Sequence, residues 1–376
     1  MKPPNIEKYY KKQMENNQLN LCEPIAPNKV GRIKIKQSRP VFEVEIPADL
    51  KQAYLKKKPA SFLKNLKYEI ITEINESQKL WEEFSPKESL FDLWDFRLAF
   101  LKSYNRQPYF ILLKKGDKKI GLMPLWYEEE KKKYFWFGGW WHEDNKFFIK
   151  EPIFTPVLLS LCPKPVYLNG IAPSMLDYLI INEEFKKFQP EDPKYVLDLS
   201  QIKSFNDYLK GLKKSRRHNL KKDCKRIDKQ NPEVITNNFN DLEHLIALSR
   251  QRFQAKQTNG YKDVCEEERG WEDPRYIETF RNLVANQSKE FDLRMLTVKI
   301  NNQIAGVDLV AIHKDCYYAL VCGYDVHNFP GIGNYLNSLD IKEATSMGLK
   351  KIDFLQNNYQ WKDKWFQSTP LLGYEA

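Results

Sequence analysis

The chain lacks any run of about 18 consecutive apolar residues, so it offers no transmembrane helix. Its first residues, Met1 to Asn17, contain no apolar core of the kind a secretory leader needs, and a cytoplasmic location is the expectation. Cysteine is sparse and scattered: Cys22, Cys162, Cys224, Cys265, Cys316 and Cys322 form no C-x-x-C pair. The five histidines (His142, His218, His244, His313 and His327) show no H-E-x-x-H or comparable spacing. No metal site is therefore expected, and isolated thiols fit a reducing compartment. Also missing are the G-x-S-x-G elbow, the G-x-x-x-x-G-K-[ST] phosphate loop and a G-x-G-x-x-G following a strand. These gaps remove most of the case for a serine hydrolase, a P-loop NTPase or an ordinary dinucleotide enzyme.

Apolar side chains, by contrast, are plentiful. Hydrophobic residues make up 42% of the 376 and aromatics 14%, enough for sizeable cores in about two domains. The formal net charge of +10 is unevenly placed. Residues 1–68 carry 15 Lys and Arg against 6 Asp and Glu, residues 201–230 carry 11 against 3, and the rest of the chain is −7. A like-signed block can meet phosphates on nucleic acid, on a nucleotide-bearing ligand or on lipid head groups, or it can simply be a solvated face. For the N-terminal block the solvated face is the simpler reading.

The pattern divides the chain into a basic arm (1–67), a first unit (68–200) and a second unit (201–376). A short strand at Val41–Ile46 closes the polar part of the arm. The first unit reads as a strand at Tyr68–Ile74 and a helix at Ser89–Lys102. A hairpin, Tyr109–Lys115 and Lys118–Tyr127, follows around Gly116-Asp117. Short aromatic strands come next at Tyr134–Phe137 and Pro165–Leu168. In the second unit one helix is predicted over Ser204–Gln230, opened by a Ser204/Asp207 capping pair, and another over Asp241–Gln257. Asp273-Pro274 opens a third helix. Strands follow at Phe291–Ile300, Gln303–His313 and Cys316–Tyr324. A helix after Pro330-Gly-Ile-Gly333 and a strand at Lys350–Leu355 complete the pattern.

The units repeat. Ile111–Tyr127 aligns without gaps on Leu296–Ile312 at a constant offset of 185 residues, pairing Lys114 with Lys299 and Gly121 with Gly306. Any two hairpins share such a pattern, but helices precede the hairpin in both units, which favours a duplicated α/β module.

Two features carry chemistry. In Asn328-Phe-Pro-Gly331-Ile-Gly333-Asn334 the glycines let the backbone curl and leave N–H groups free at a helix start, a setting that suits a pyrophosphate or merely a tight turn. Asp308 interrupts an apolar strand, sharing a face with Ile304, Gly306, Val310 and Ile312. A carboxylate there is either a general base at an open cleft or half of a buried ion pair.

At these residues the sequence resembles the GNAT acyltransferase superfamily, in its FemAB-like, CelD-type branch. The basic helix Leu212-Lys-Lys-Ser-Arg-Arg-His-Asn-Leu-Lys-Lys222 resembles one of its blocks. Gly323-Tyr324-Asp325 with Pro330-Gly331 resembles a second, and Asp353-Phe-Leu355 with Trp361-Lys362 and Trp365 a third. Asn328, Asn357 and Trp361 depart from the family's Gln or Arg, Gly and Tyr. The resemblance implies an α/β (α+β) fold of tandem GNAT-like units, with mixed central sheets flanked by helices and the basic arm in front. The first unit would lack the cofactor loop.

It also implies an N-acyltransferase. Acetyl-CoA or another acyl-CoA would be the thioester donor, and the acceptor the amine of an anionic, sugar or peptide molecule. An aminoacyl-tRNA is the alternative donor. A non-catalytic module for nucleic acid or a membrane surface is the second alternative. Under the resemblance Val321, Gly323, Gly331, Ile332, Gly333 and Asn334 hold the cofactor. The candidate catalytic residues are Asp308, Tyr359, Lys362 and Asp353. Tyr359 is either the acid for the leaving thiolate or a packing aromatic. Lys362 is either a phosphate- or carbonyl-contacting cation or a surface lysine. Asp353 orients a substrate or fixes the loop after its strand. Lys213, Arg216, Arg217, Lys221 and Tyr324 are the candidate anion and substrate contacts.

Overall fold

The computed structural model describes residues 40–56, 58–172, 175, 187–258, 270–357 and 361–376. Residues 1–39 of the expected arm lie outside these, as do Cys22, Cys265 and Tyr359. The first half runs β1 (Phe42–Glu43), α1 (Ala48–Leu55), β2 (Leu66–Ile71), α2 (Ile74–Phe84), α3 (Trp94–Tyr104), β3 (Pro108–Lys115), β4 (Lys118–Glu128) and β5 (Lys133–Trp136). It continues with β6 (Phe148–Ile149), α4 (Thr155–Ser160), β7 (Tyr167–Ile171), β8 (Phe188–Pro190) and β9 (Lys194–Asp198). The second half runs α5 (Phe205–Gly211), α6 (Lys214–Asp228), β10 (Glu233–Thr236), α7 (Leu242–Thr258), α8 (Pro274–Ala285), β11 (Asp292–Ile300) and β12 (Gln303–His313). It ends with β13 (Cys316–Tyr324), α9 (Ile332–Ser346), β14 (Lys351–Gln356), β15 (Gln367–Thr369) and β16 (Leu372–Glu375).

Local chemistry sets several boundaries. Ser204 Oγ accepts from the Asp207 N–H at 3.2 Å and opens α5 as expected. The single helix expected over Ser204–Gln230 is two, because Leu212 and Lys213 are extended, with ψ of 148° and 143°. Asp273 accepts from the Arg275 N–H at 2.9 Å, and Pro274 fills the first turn of α8. The helix expected from Ser89 starts later. The Asp92 carboxylate takes the N–H groups of Glu88 and Ser89, each at 2.9 Å, which tightens Leu90–Asp92 into a 3₁₀ turn before α3. Residues 48–56 and 58–66, read from sequence as part of the arm, are folded: Leu50, Tyr54 and Leu66 are buried in the core of the first half.

Both halves trace one path: strand, two helices, a three-stranded antiparallel meander, a helix and a further strand. The duplication extends to register. In β3–β4 the pairing shifts between Leu113 and Lys114, with Leu113 opposite Gly121 and Lys114 opposite Lys119. In β11–β12 it shifts between Val298 and Lys299, with Val298 opposite Gly306 and Lys299 opposite Ile304. Every one of these positions is related by the same 185-residue offset. Two unrelated hairpins have no reason to share a bulge at the same step.

The halves are not closed units. β9 leaves the first half to pair with β14, giving the order β10-β11-β12-β13-β14-β9-β15. β16 returns to lie between β7 and β8. A single aromatic core spans both halves: Phe96 packs on Phe291, Phe91 on Tyr318, and Trp141 on Phe280. Burying each such ring contributes roughly 1.5–3 kcal/mol. Among the described residues no helix is long and apolar enough to cross a membrane.

Candidate active site

β13 and β14 are parallel neighbours only where Cys316–Tyr318 faces Lys351–Asp353. Beyond Tyr318 they part. On its other edge β13 pairs with β12, and the register shifts there. Leu309 faces Val321 while Val310 faces Ala319, so Leu320 is an extra residue. The bulge re-aims the strand at the point of divergence. The wedge that opens is a cavity of about 320 Å³. Its walls come from Ala319–Cys322 of β13, Phe354 and Leu355 of β14, Trp361 and Lys362, the first turns of α9, and Arg252, Trp271 and Tyr276.

Asp308 lies in this wall and is 3% exposed. Tyr324 Oη donates to its Oδ2 at 3.4 Å. Burial lifts its carboxyl to about 7, against the opposing pull of hydrogen bonds with Tyr324 and Asp340 and of the Arg252 charge. Asp340 of α9 is buried beside it. Its carboxyl is pushed well up by burial and by the neighbouring Asp308 charge. Two adjacent buried carboxylates do not both ionise, so the pair shares a proton. Burial raises the Tyr324 phenol well above its ordinary value, which keeps it a donor. The Arg252 guanidinium lies 5.8 Å from the Tyr324 ring centre.

Gly331 caps α9 with φ of +97°, and the loop before it is tied internally. Asn328 donates from its backbone N–H and its amide to the Asp325 carboxylate, at 3.0 and 2.7 Å. That local bond is what stands where the family carries a longer Gln or Arg. Gly333 and Asn334 line the cavity. Ile332 does not: it is fully buried in the core beneath α9, and its N–H bonds the Phe329 carbonyl. The loop is also flanked by an acid of the protein's own. Asn334 Nδ2 donates to Asp223 of α6 at 2.6 Å, and a Cβ on Gly331 would meet the Asp223 carboxyl carbon at 3.2 Å. A carboxylate is thus stationed at the helix end where a pyrophosphate was expected.

Other expected residues fall elsewhere. Val321 and Tyr324 line the cavity, but Gly323 faces α7, where an added Cβ would meet the Leu245 carbonyl oxygen at 2.4 Å and its Cα at 3.0 Å. The glycine serves close packing of helix on strand. Gly323→Ala should lower stability by about 1–3 kcal/mol, read by chemical denaturation, because backbone rather than a pliable side chain must give way. Lys362 lines the cavity, but its Nζ donates to the carbonyls of Phe354, Leu355 and Gln356. Three acceptors take up an ammonium's three donors. Lys362 therefore holds the turn after β14, where Leu355 and Asn357 have φ of 60° and 68°. Asp353 is fully buried outside the cavity. It pairs with Lys194 at 2.9 Å and accepts from the Leu355 N–H at 3.0 Å, so of the two expected roles it takes the loop-fixing one. Lys213, just before α6, and Lys221 on it are exposed, and Arg216 and Arg217 are half-buried. Arg216 donates to the Lys364 carbonyl and ties α6 to the cavity wall.

Arg252, Trp271, Tyr276, Asn337 and Asp340 were not expected. Asp340 had a signal: it interrupts the apolar series Ile332, Leu336 and Ala344 on α9. The others reach the cavity only through the packing of α7, α8 and α9.

A splayed parallel pair, a bulged strand and a glycine-started helix meet around two acids, Asp308 and Asp340. Residues 214–363 match the acetyltransferase (GNAT) domain family. The matched stretch includes α6, the cavity and Lys362. No curated protein sequence matches the chain. Among solved structures, a conserved protein of unknown function from Bacteroides thetaiotaomicron shares the fold. Its TM-score is 0.51 at 11% identity, over 82% of this chain and 99% of that one. A tandem GNAT protein from the clavulanic acid biosynthesis pathway gives 0.48 at 8% identity, over 82% and 98%. FemX gives 0.44 at 10% identity, over 82% and 97%.

Proposed function

We propose that the protein is an N-acyltransferase that moves an acyl group from a CoA-type thioester to the amine of an anionic acceptor of sugar or peptide type. The observation that carries this is the cavity at the β13–β14 splay with Asp308 in its wall. Asp308, with a carboxyl near 7, is matched to removing a proton from an ammonium nucleophile at neutral pH. Backbone N–H groups of β13 beyond Tyr318, freed from pairing with β14, supply donors to the acyl oxygen. Gly331, Gly333 and Asn334 present the start of α9 to the donor's phosphates. Lys213, Arg217 and Lys221 give the acceptor side its positive field, and Arg216 keeps α6 docked against that side.

A second reading, transfer from an aminoacyl-tRNA, is favoured by Asp223. A carboxylate on the glycine loop repels a pyrophosphate, whereas a tRNA donor has no need of that loop. Isothermal titration with acetyl-CoA and longer acyl-CoAs should give dissociation constants in the micromolar range, about 1 μM to 1 mM. Silence with every thioester, together with filter binding of charged tRNA that falls steeply with salt, would replace the first reading by the second.

A further inference from the structure

Asp340 continues away from the cavity through a chain of hydrogen bonds. Tyr317, fully buried on β13, lies between two carboxyls of α9, with its Oη 2.9 Å from Asp340 Oδ1 and 2.9 Å from Glu343 Oε2. Glu343 stands one helical turn beyond Asp340, with 17% of its side chain exposed, and Arg294 donates to its Oε1 at 2.9 Å. At the inner end Asp308 and Asp340 share a proton, as described above. Among the described residues, the other charged or titratable groups facing this chain are Arg252 of α7, Cys322 and Tyr324 of β13, and Arg294 and Asp292 of β11.

We infer that Asp308, Asp340, Tyr317 and Glu343 form a proton relay that carries the proton taken from the acceptor's ammonium out of the cavity to solvent beneath α9. The inference rests on the reading of Asp308 as the base. A phenol has one proton, yet Tyr317 is within bonding distance of two carboxyls, so one of these must donate to it. The Glu343 carboxylate is paired with Arg294, so the donor is Asp340: its acid hydrogen reaches the phenol oxygen and the phenol hydrogen reaches Glu343. With Asp308 ionised, the site is ready as a base. When Asp308 takes a proton from the ammonium, the acid and phenol hydrogens turn outward and each moves one place. Asp308 gives to Asp340, Asp340 to Tyr317, Tyr317 to Glu343, and Glu343 to water. One proton enters, one leaves, the N–H bond of the ammonium is the bond broken, and the cluster's charge is restored.

The relay explains an arrangement that packing alone does not require: a buried tyrosine wedged between two acids on the face of α9 turned to the sheet. It assigns Tyr317 and Glu343 as proton-transfer residues that need not touch the acceptor.

The test uses the full chain with Tyr317→Phe, and Glu343→Gln as a second break. In weakly buffered solution kcat should fall by about tenfold or more with the thioester KM unchanged. The solvent deuterium isotope effect should rise. Added imidazole should restore the rate in both variants by carrying the proton instead. Y317F turning over at the wild-type rate, with no buffer dependence, overturns the relay. Titration of ¹³C-carboxyl-labelled aspartates in the unliganded protein needs no turnover. Y317F should move the Asp308 and Asp340 titrations together, and titrations indifferent to Y317F overturn the relay. If the wild-type chain transfers no acyl group, the proposed function falls, and the carboxyl titrations alone still decide the relay.

Discussion

Asp308→Asn should lower kcat/KM for acyl transfer by about 10²–10⁴-fold while leaving the fold intact. The amide keeps the shape of the carboxylate and removes its capacity to take a proton. In the wild-type protein kcat/KM should climb with pH and level off above about 7, because the ionised form is the base. Stability should respond in the opposite direction. The folded-state carboxyl is raised above its unfolded value of about 3.9, so the folded protein holds this proton more tightly. Its contribution is complete below pH 4 and is lost as pH rises through 7. Asn has no charge to bury. D308N should therefore match or exceed the wild-type protein in chemical denaturation at pH 8, by on the order of 1–3 kcal/mol, while being catalytically crippled. A variant that is both inactive and unfolded at pH 8 would count against Asp308 as the base. So would full activity.

The largest loss of stability is expected at Lys194. Its ammonium is buried on β9 between Asp144 at 2.5 Å and Asp353 at 2.9 Å. Glu143 is buried beside them and accepts from the Gln356 N–H at 2.5 Å. Burial opposes the charge on Lys194, but Asp353 and Asp144 outweigh it and raise the ammonium above its ordinary value. Burial, and then the Asp353 charge, push Glu143 well up, so it is the acid that stays neutral. Lys194→Met keeps the length of the chain and deletes the cation. It leaves Asp353 buried, and Asp144 half-buried, without their counter-charge, at a cost of about 3–5 kcal/mol. Urea denaturation at pH 8 checks this, and a Lys194→Met protein as stable as wild type would refute it. Activity should suffer as well, because Asp353 positions the Leu355 N–H and so the β14 wall of the cavity.

Much of this fold was legible because it is written in short-range signals. Alternating apolar residues and the Asn301-Asn302 turn, with φ of 50° and 62°, marked the β11–β12 hairpin. The 185-residue offset marked the duplication. Asp308 stood out as a charge on an apolar strand face, and the glycine loop as a backbone device. What was not legible came from contacts between distant segments. Nothing near Gly323 announces that Leu245 presses on it, and nothing near Lys362 announces three carbonyls within its reach. Asp223 lies on a helix read for its cations, and its approach to Gly331 depends on how α6 crosses α9. The break at Leu212 had a local signal, Gly211 at the end of α5, which the apolar stripe of Leu209, Leu212 and Leu220 outweighed in the sequence reading.

The exchanged strands have a consequence for the order in which the molecule can be completed. β7 and β8 of the first half are joined only through β16, the last strand of the chain. During synthesis the first half therefore emerges with a gap in its smallest sheet. That gap stays open until Leu372–Glu375 has left the ribosome, after every residue lining the cavity has been made.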